Sequence, residues 1–406
     1  MRILVFSQKL SIGGAVVTAL DLATQLQRDG HDVHIFAEPG PLVSAAADRG
    51  LPYHEAPDTG TTKRRWPSPR TSAALRRTCA ELQPDVVHSY EWPACLDAML
   101  GPYSRDGVPL VASVMAMQVP RFMPRHVPLV VGTRVLHDEL RRRGFGPVGL
   151  VEPPVDVHAD RPDLPTTFRA DLDIPSGAVL LAIVSRLDPL KAESAHLAIA
   201  AVEELSRCAD VRLVIVGQGR SQPDLALHAE EVNQRLGRPA VLLPGLLTDP
   251  KEAYAAADVV LGMGGSALRG LAFGKPLVVL GTRGFAERFT PETSGEFMVQ
   301  GFWGLGDGRP PLERLTGALR EVVADAELRK ELGRFGRGWV TERFALDQAA
   351  DRLAGLLAAA ADRPPSPSRR RTDVVATMGR LCAVRAQDLG RRTARRAGIG
   401  APDGEG

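Results

Sequence analysis

The stretch Ala178–Val202, AVLLAIVSRLDPLKAESAHLAIAAV, joins a short aliphatic run directly to a helical pattern. Its first part is too short for a helix and rich in branched apolar residues, so it reads as a buried strand ending at Arg186. Its second part carries apolar residues at helical spacing. A strand followed at once by a helix is the repeating unit of a mostly parallel sheet covered by helices.

The same alternation runs outward in both directions. Upstream the strands are RILVFS, DVHIFAE, DVVHSY, PLVASV and PLVVGT; downstream they are VRLVIVGQG, AVLLPG, ADVVLGM and PLVVLG. Between the two series lies VHADRPDLPTTFRADLDIPSG, residues 157–177, whose polarity and prolines predict a linker followed by a short docking helix. The chain therefore reads as α/β, with two doubly wound halves of similar size. Ligands of such sheets bind beyond the carboxyl ends of the strands, so two halves facing each other place a ligand in the cleft between them.

Composition narrows the function classes. With 406 residues, the chain exceeds one ordinary core, and about 150 residues per domain predicts two or three. Four scattered cysteines, Cys79, Cys95, Cys208 and Cys382, form no pair at metal-ligand spacing and read as the reduced thiols of a cytosolic protein. No apolar run reaches the roughly 20 residues that span a bilayer, and MRILVFSQ is too short an apolar run for a signal peptide. From Arg363 onward there are ten Arg against four acidic residues, so the net charge of +2 conceals a mildly acidic body. That distribution argues against nucleic-acid binding by the folded domains. PPSPSRRR, residues 364–371, predicts a disordered hinge, and the basic segment after it reads either as a solvated tail or as an amphipathic helix for a membrane surface or a protein partner.

Several strand ends carry candidate chemistry. Gly13 and Gly14 lie between the first strand and a helix, where glycine lets a backbone approach a ligand and the helix start favours an anion, although they would shape a loop equally well. Arg186 and Lys191 flank the mouth of a helix and suit a diphosphate, one as a planar fork and one as a point charge. Only six of the fifty basic residues are Lys, which singles out Lys191. Gly217 and Gly219 follow another strand and would serve either a ribose or a tight turn. In GGSALRGLAFGKP, Gly264 to Pro276, the amides of Gly264, Gly265 and Ser266 form a candidate anion cradle. Ser266 reads as the N-cap, which sets the cation Arg269 where a capping box would have Glu or Gln. His88, in PDVVHSYEW, is a candidate for hydrogen bonding to a sugar hydroxyl or for acid–base work, or simply a structural histidine. H-E-x-x-H, P-loop and G-x-S-x-G motifs are all absent.

Taken in order, MRILVFSQKLSIGGAVVTALDLATQLQRDGHDVHIF, PDVVHSYEW, VEPPVD, VSRLDPLKA, VGQG, LPGLLTDPKEAYAAADVVL and AFGKPLVV resemble the retaining, GT-B-fold nucleotide-sugar glycosyltransferases of the family 4 type. The resemblance implies two Rossmann-like domains facing across a cleft: residues 1–165 on the acceptor side, 166–345 on the nucleotide-sugar side, 346–362 as a helix crossing back, and 363–406 as the basic, disordered tail. It implies a donor diphosphate on Arg186 and Lys191, the VGQG glycines near the nucleotide, and Gly14 approaching the diphosphate. It also implies transfer of a sugar to an acceptor hydroxyl with retention, without metal or cofactor, because cations and helix-start amides stabilise the leaving group.

The departures from the family are equally specific. Its usual pair of Glu residues falls at Leu261 and Arg269, and two of its histidines fall at Met115 and Tyr90. Arg269 then marks altered donor recognition, by a phosphate or by a neighbouring acid. The resulting expectation is an active, hexosyltransferase-like enzyme of a bacterial cytoplasm, in cell-envelope or secondary-metabolite glycosylation, with a peripheral contact to the inner membrane face or to a protein through its tail as the alternative to a solvated tail. The alternatives are a weak or inactive accessory relative, and a GT-B-fold epimerase or phosphorylase, whose lysine and carboxylate patterns are missing.

Overall fold

A computed structural model describes residues 1–60, 66–116, 118–247 and 249–396, with side chains followed to residue 389. The chain divides into two units. The first comprises Met1–Val151 with Ala350–Gly406, and the second Glu152–Ala349.

The strands of the first unit are β1 (Arg2–Lys9), β2 (Asp32–Glu38), β3 (Tyr53–Glu55), β4 (Val86–Tyr90), β5 (Leu110–Val114), β6 (Leu129–Val131) and β7 (Val148–Leu150). They form one sheet in the order β3-β2-β1-β4-β5-β6-β7, every pair parallel. The second unit has β8 (Val179–Val184), β9 (Val211–Val216), β10 (Val241–Gly245), β11 (Val259–Gly262), β12 (Leu277–Leu280) and β13 (Ala286–Arg288) in the order β10-β9-β8-β11-β12-β13. Only β12 and β13 run antiparallel. Central strands such as β5 and β9 are buried along their whole length, as strands covered by helices on both faces must be. Each order reverses at one place, between β1 and β4 in the first sheet and between β8 and β11 in the second.

Three features depart from the sequence reading. The boundary between the units falls at Val151/Glu152 rather than at 165/166. Val155 and Val157 are at most 4% exposed and belong to the core of the second unit. Val155 exchanges backbone hydrogen bonds with Phe344 and Leu346, and Arg337 donates to the carbonyls of Val157 and Asp160. Partners on the second unit thus satisfy the polar groups that made this segment look like a linker. The predicted docking helix is Phe168–Asp171; its Phe168 is 3% exposed, a burial worth about 1.5–3 kcal/mol.

The aliphatic run at 178–186 ends as a strand at Val184, leaving Ser185–Asp188 as a loop before the helix Pro189–Leu205. Finally, the segment read as a disordered tail contains the helix Pro367–Arg396, counted with the first unit. Its Asp373, Thr377 and Leu381 are buried, a face that overall composition conceals. Before it, the helix Leu346–Ala361 leads from the second unit back to the first, where Leu356 packs on Gly149.

Candidate functional site

In the second unit three loops meet at the carboxyl ends of β8, β9 and β11. A depression there is lined by Ser185, Leu187, Lys191, Ser194, Met263 and Ser266, among others. It lies where the strand order reverses between β8 and β11, the position at which doubly wound sheets bind ligands.

Lys191 is the third residue of the helix Pro189–Leu205, which Asp188 precedes as N-cap. Burial, and then the neighbouring Arg186, push its pKa down, against a smaller opposing pull from Asp188. Among the described residues its ammonium has neither a hydrogen-bond nor an ion-pair partner. A partly desolvated cation without a counter-ion is costly unless an anion arrives. Arg186 lies further out, with its side chain 53% exposed and Nη2 3.3 Å from Asp188 Oδ2. Such an exposed pair contributes only about 0–1 kcal/mol, so the guanidinium is readily redirected to a ligand.

Gly217 and Gly219 have a structural explanation. Gly217 has φ +145°, and a Cβ there would sit 1.8 Å from the Ser185 carbonyl oxygen; at Gly219 it would sit 2.3 Å from that of Leu187. The two loops are laced by hydrogen bonds from Leu187 N to Gln218 O and from Ser221 N to Leu187 O, both 3.0 Å. The glycines let one loop lie on the other, and thereby fix the loop that carries Arg186.

The helix Gly265–Ala272 starts two residues earlier than an Ser266 N-cap would set it. Gly264 is the N-cap, at φ +57°, a left-handed conformation that favours glycine. Its amide donates to Phe302 O at 2.7 Å, which removes it from the anion cradle. Ser266 Oγ is occupied with Met263, accepting from its N–H at 3.2 Å and donating to its carbonyl at 3.0 Å. The Gly265 and Ser266 amides, first in the helix, remain for an anion.

Arg269 consequently lies in the last turn, where a cation suits the helix dipole. Its Nε donates to Asp160 Oδ2 at 2.8 Å, and the Asp160 side chain is 1% exposed. Of the two contacts foreseen for Arg269, a phosphate or an acid in the protein, the structure shows the acid. Leu261, aligned with the other missing carboxylate, is a fully buried residue of β11 paired with Val278.

In the first unit, Gly13 is the N-cap of the helix Gly14–Arg28, beyond the end of β1. Its φ of −178° is open to any residue, and a Cβ added at Gly13 or Gly14 meets nothing within 4 Å. The fold does not require glycine at either position.

His88 does not line a surface. It is 1% exposed in the middle of β4, paired with Val5 and Val111, with Nε2 2.7 Å from Ser113 Oγ and its ring 4.6 Å from that of Tyr90. Burial pushes its pKa down to about 3, so the imidazole is neutral and sealed from any substrate. Its assignment as catalytic is withdrawn.

One residue escaped the sequence reading. Glu91, at the carboxyl end of β4, adopts φ +66° and accepts from Met115 N at 2.9 Å. Burial pushes its carboxyl up, opposed by the amides of Met115 and Ala116. A non-glycine residue held left-handed at a strand end marks a site of interest. Its only sequence signal was a carboxylate directly after a strand.

Comparison with known proteins identifies the family and the fold. The model of Glycosyltransferase Family 4 matches residues 12–128, and that of Glycosyl transferases group 1 matches residues 178–302. A D-inositol 3-phosphate glycosyltransferase of Saccharomonospora viridis is 30% identical over 331 residues, covering 70% of this chain and 72% of the relative. One of the same name from Mycolicibacterium smegmatis is 28% identical, covering 77% and 82%. Among solved structures, Anabaena HepE in complex with UDP has a TM-score of 0.67 at 16% identity, covering 88% of this chain and all of that one. A glycosyltransferase from Rickettsia africae has a TM-score of 0.68 at 14% identity, covering 88% and 98%. With both sheets, both family models and a relative at this identity in agreement, the chain belongs to the family 4-type glycosyltransferases of GT-B fold.

Proposed function

We propose that this glycosyltransferase takes its sugar from a nucleotide-diphosphate sugar and passes it to an acceptor hydroxyl with retention of configuration. The observation that carries the reading is Lys191, a half-buried lysine without a counter-ion at the reversal point of the second sheet. The donor's diphosphate supplies the missing charge, with the Gly265 and Ser266 amides beside it and Arg186 swinging in from its exposed pair with Asp188. HepE, solved with UDP and with UDP-glucose, supports the same class of donor.

In the reaction the bond from the anomeric carbon to the diphosphate oxygen breaks, and the acceptor oxygen forms the new bond on the same face. The departing phosphate takes the acceptor's proton. Lys191 and the two amides stabilise the charge that grows on the leaving oxygen, a form of catalysis that rests on fixed charges in a partly dry site. On this reading no metal is needed, and EDTA leaves turnover unchanged.

A panel of nucleotide sugars, followed by mass spectrometry of transfer and hydrolysis, tests the proposal; transfer from one donor is expected, and neither binding nor turnover with any donor overturns it. Arg186→Ala should weaken diphosphate binding about two- to fivefold, in keeping with an exposed charge. A weak or inactive accessory role is the competing reading, favoured by one observation: neither Leu261 nor Arg269 presents a carboxylate. Tight donor binding without hydrolysis or transfer would select it.

A further inference from the structure

The C-terminal helix Pro367–Arg396 has two faces with different surroundings. The inner face presses Asp373, Thr377 and Leu381, each at most 2% exposed, against the first unit. Tyr103 Oη donates to Asp373 Oδ2 at 2.8 Å, and His126 Nδ1 lies 2.6 Å from Oδ1, so both oxygens of a buried carboxylate are engaged. The outer face exposes Val375, Gly379, Cys382 and Ala386, spaced three or four residues apart, with Ala376 and Ala383 beside them. Val375 is 72% exposed. An apolar stripe over several turns adds nothing to folding when it faces water, and such patches mark contact surfaces.

Arginines border this stripe. Exposed Arg371 stands one turn before Val375. Arg380 donates to Met123 O at 3.3 Å, and the Arg385 guanidinium lies 5.7 and 5.8 Å from the rings of Trp92 and Phe122. Beside them, Arg125 and Arg143 sit at 5.8 and 5.3 Å from the Phe145 ring. Arg125 is near enough to Arg380 to deepen the lowering of its pKa that burial begins. Three acids of this region are engaged: Asp373 is buried, Glu139 pairs with Arg143 at 2.9 Å, and Asp388 with Arg385 at 3.4 Å. The helix sequence holds nine Arg against two Asp.

We propose that the outer face of this helix, with Arg371 and the arginines around Arg125 and Arg380, seats the first unit on an anionic bilayer surface. The guanidinium groups meet the headgroups, and the stripe through Val375 and Ala383 enters the acyl boundary, the two contacts that an interfacial helix combines. A nucleic acid would engage the arginines and leave the apolar stripe in water. A second copy of the chain would bring arginine against arginine. Among the described residues no helix is long and apolar enough to cross a membrane, so the attachment is peripheral. The inference concerns the first unit alone and does not depend on sugar transfer.

Flotation of the full chain with two kinds of vesicle tests it: phosphatidylcholine alone, and phosphatidylcholine mixed equally with phosphatidylglycerol. Binding to the anionic vesicles only is expected, released by salt as screening increases. Arg371→Gln should weaken it about fivefold. Val375→Asp should abolish it without lowering the melting temperature, and Ala383→Asp, on the same stripe, should do the same should Val375→Asp unfold the protein. Equal binding to both vesicles, binding to neither, or undiminished flotation of both aspartate variants overturns the proposal. Tighter binding to a single-stranded RNA oligonucleotide than to vesicles, or a solution dimer that Val375→Asp dissociates, also overturns it.

Discussion

Two glycine pairs follow strands in this protein, and the fold treats them differently. Gly217 and Gly219, after β9, stand where any Cβ would overlap the carbonyl oxygens of Ser185 and Leu187. Gly13 and Gly14, after β1, stand in open space. The first pair is explained by packing of one loop on another. The second has no such packing explanation, and under the proposed function it leaves the start of the helix Gly14–Arg28 open to the donor's diphosphate.

Substitution breaks or sharpens this contrast, and the largest effect belongs to Gly217. Gly217→Ala introduces both the 1.8 Å overlap and a strained φ of +145°, and should cost about 2–4 kcal/mol in denaturant unfolding. A loss below about 0.5 kcal/mol would mean that the loop relaxes freely and that the pair is not structural. Gly14→Ala should change unfolding by no more than about 0.5–1 kcal/mol, with stabilisation the favoured direction, because alanine restricts the unfolded chain. Turnover should nevertheless fall in this variant. Unaltered activity would reduce Gly14 to a loop residue and cancel the contrast.

The effect at His88 lies in its pH dependence. Its pKa is depressed from 6.5 to about 3 by burial, so the native state binds fewer protons than the unfolded chain in between. The stability that its neutral burial contributes is complete above about pH 6.5 and drains away as the pH falls towards 3. His88→Gln should therefore flatten the acid limb of unfolding free energy against pH between these values, on top of a pH-independent offset from the lost contact with Ser113. Identical acid limbs would contradict a buried neutral imidazole.

The sheet strands were legible because short aliphatic runs before helical patterns leave few alternatives. β3, β7 and β13 passed unnoticed because YHE, VGL and AER are short, only partly buried and not aliphatic runs, whereas the equally short but fully buried LVV of β6 is one. Asp160 shows why the boundary was misplaced: next to Pro162 it reads as linker, yet it is buried and holds Arg269 across 109 positions of sequence. The same long-range pair resolves the cation in GGSALRG, as local capping rules cannot see a partner so distant. Lys191 stood out through its position at a helix mouth, and its side chain lines the depression; His88 was given a role that its burial removes, and Arg269 one that its pair with Asp160 redirects. Glu91 was missed because a left-handed backbone leaves no mark on residue type.

The proposed function requires the reversal point of the second sheet to hold a diphosphate through Lys191. Isothermal titration of UDP and other nucleoside diphosphates into the full chain and into Lys191→Ala tests it most directly. The account predicts that at least one of them binds the parent protein and binds Lys191→Ala about 10- to 100-fold more weakly, as loss of a charged hydrogen bond of about 1.5–3 kcal/mol requires, with the melting temperature no lower. Equal dissociation constants for the two proteins, or no binding of any diphosphate to the parent, would contradict it.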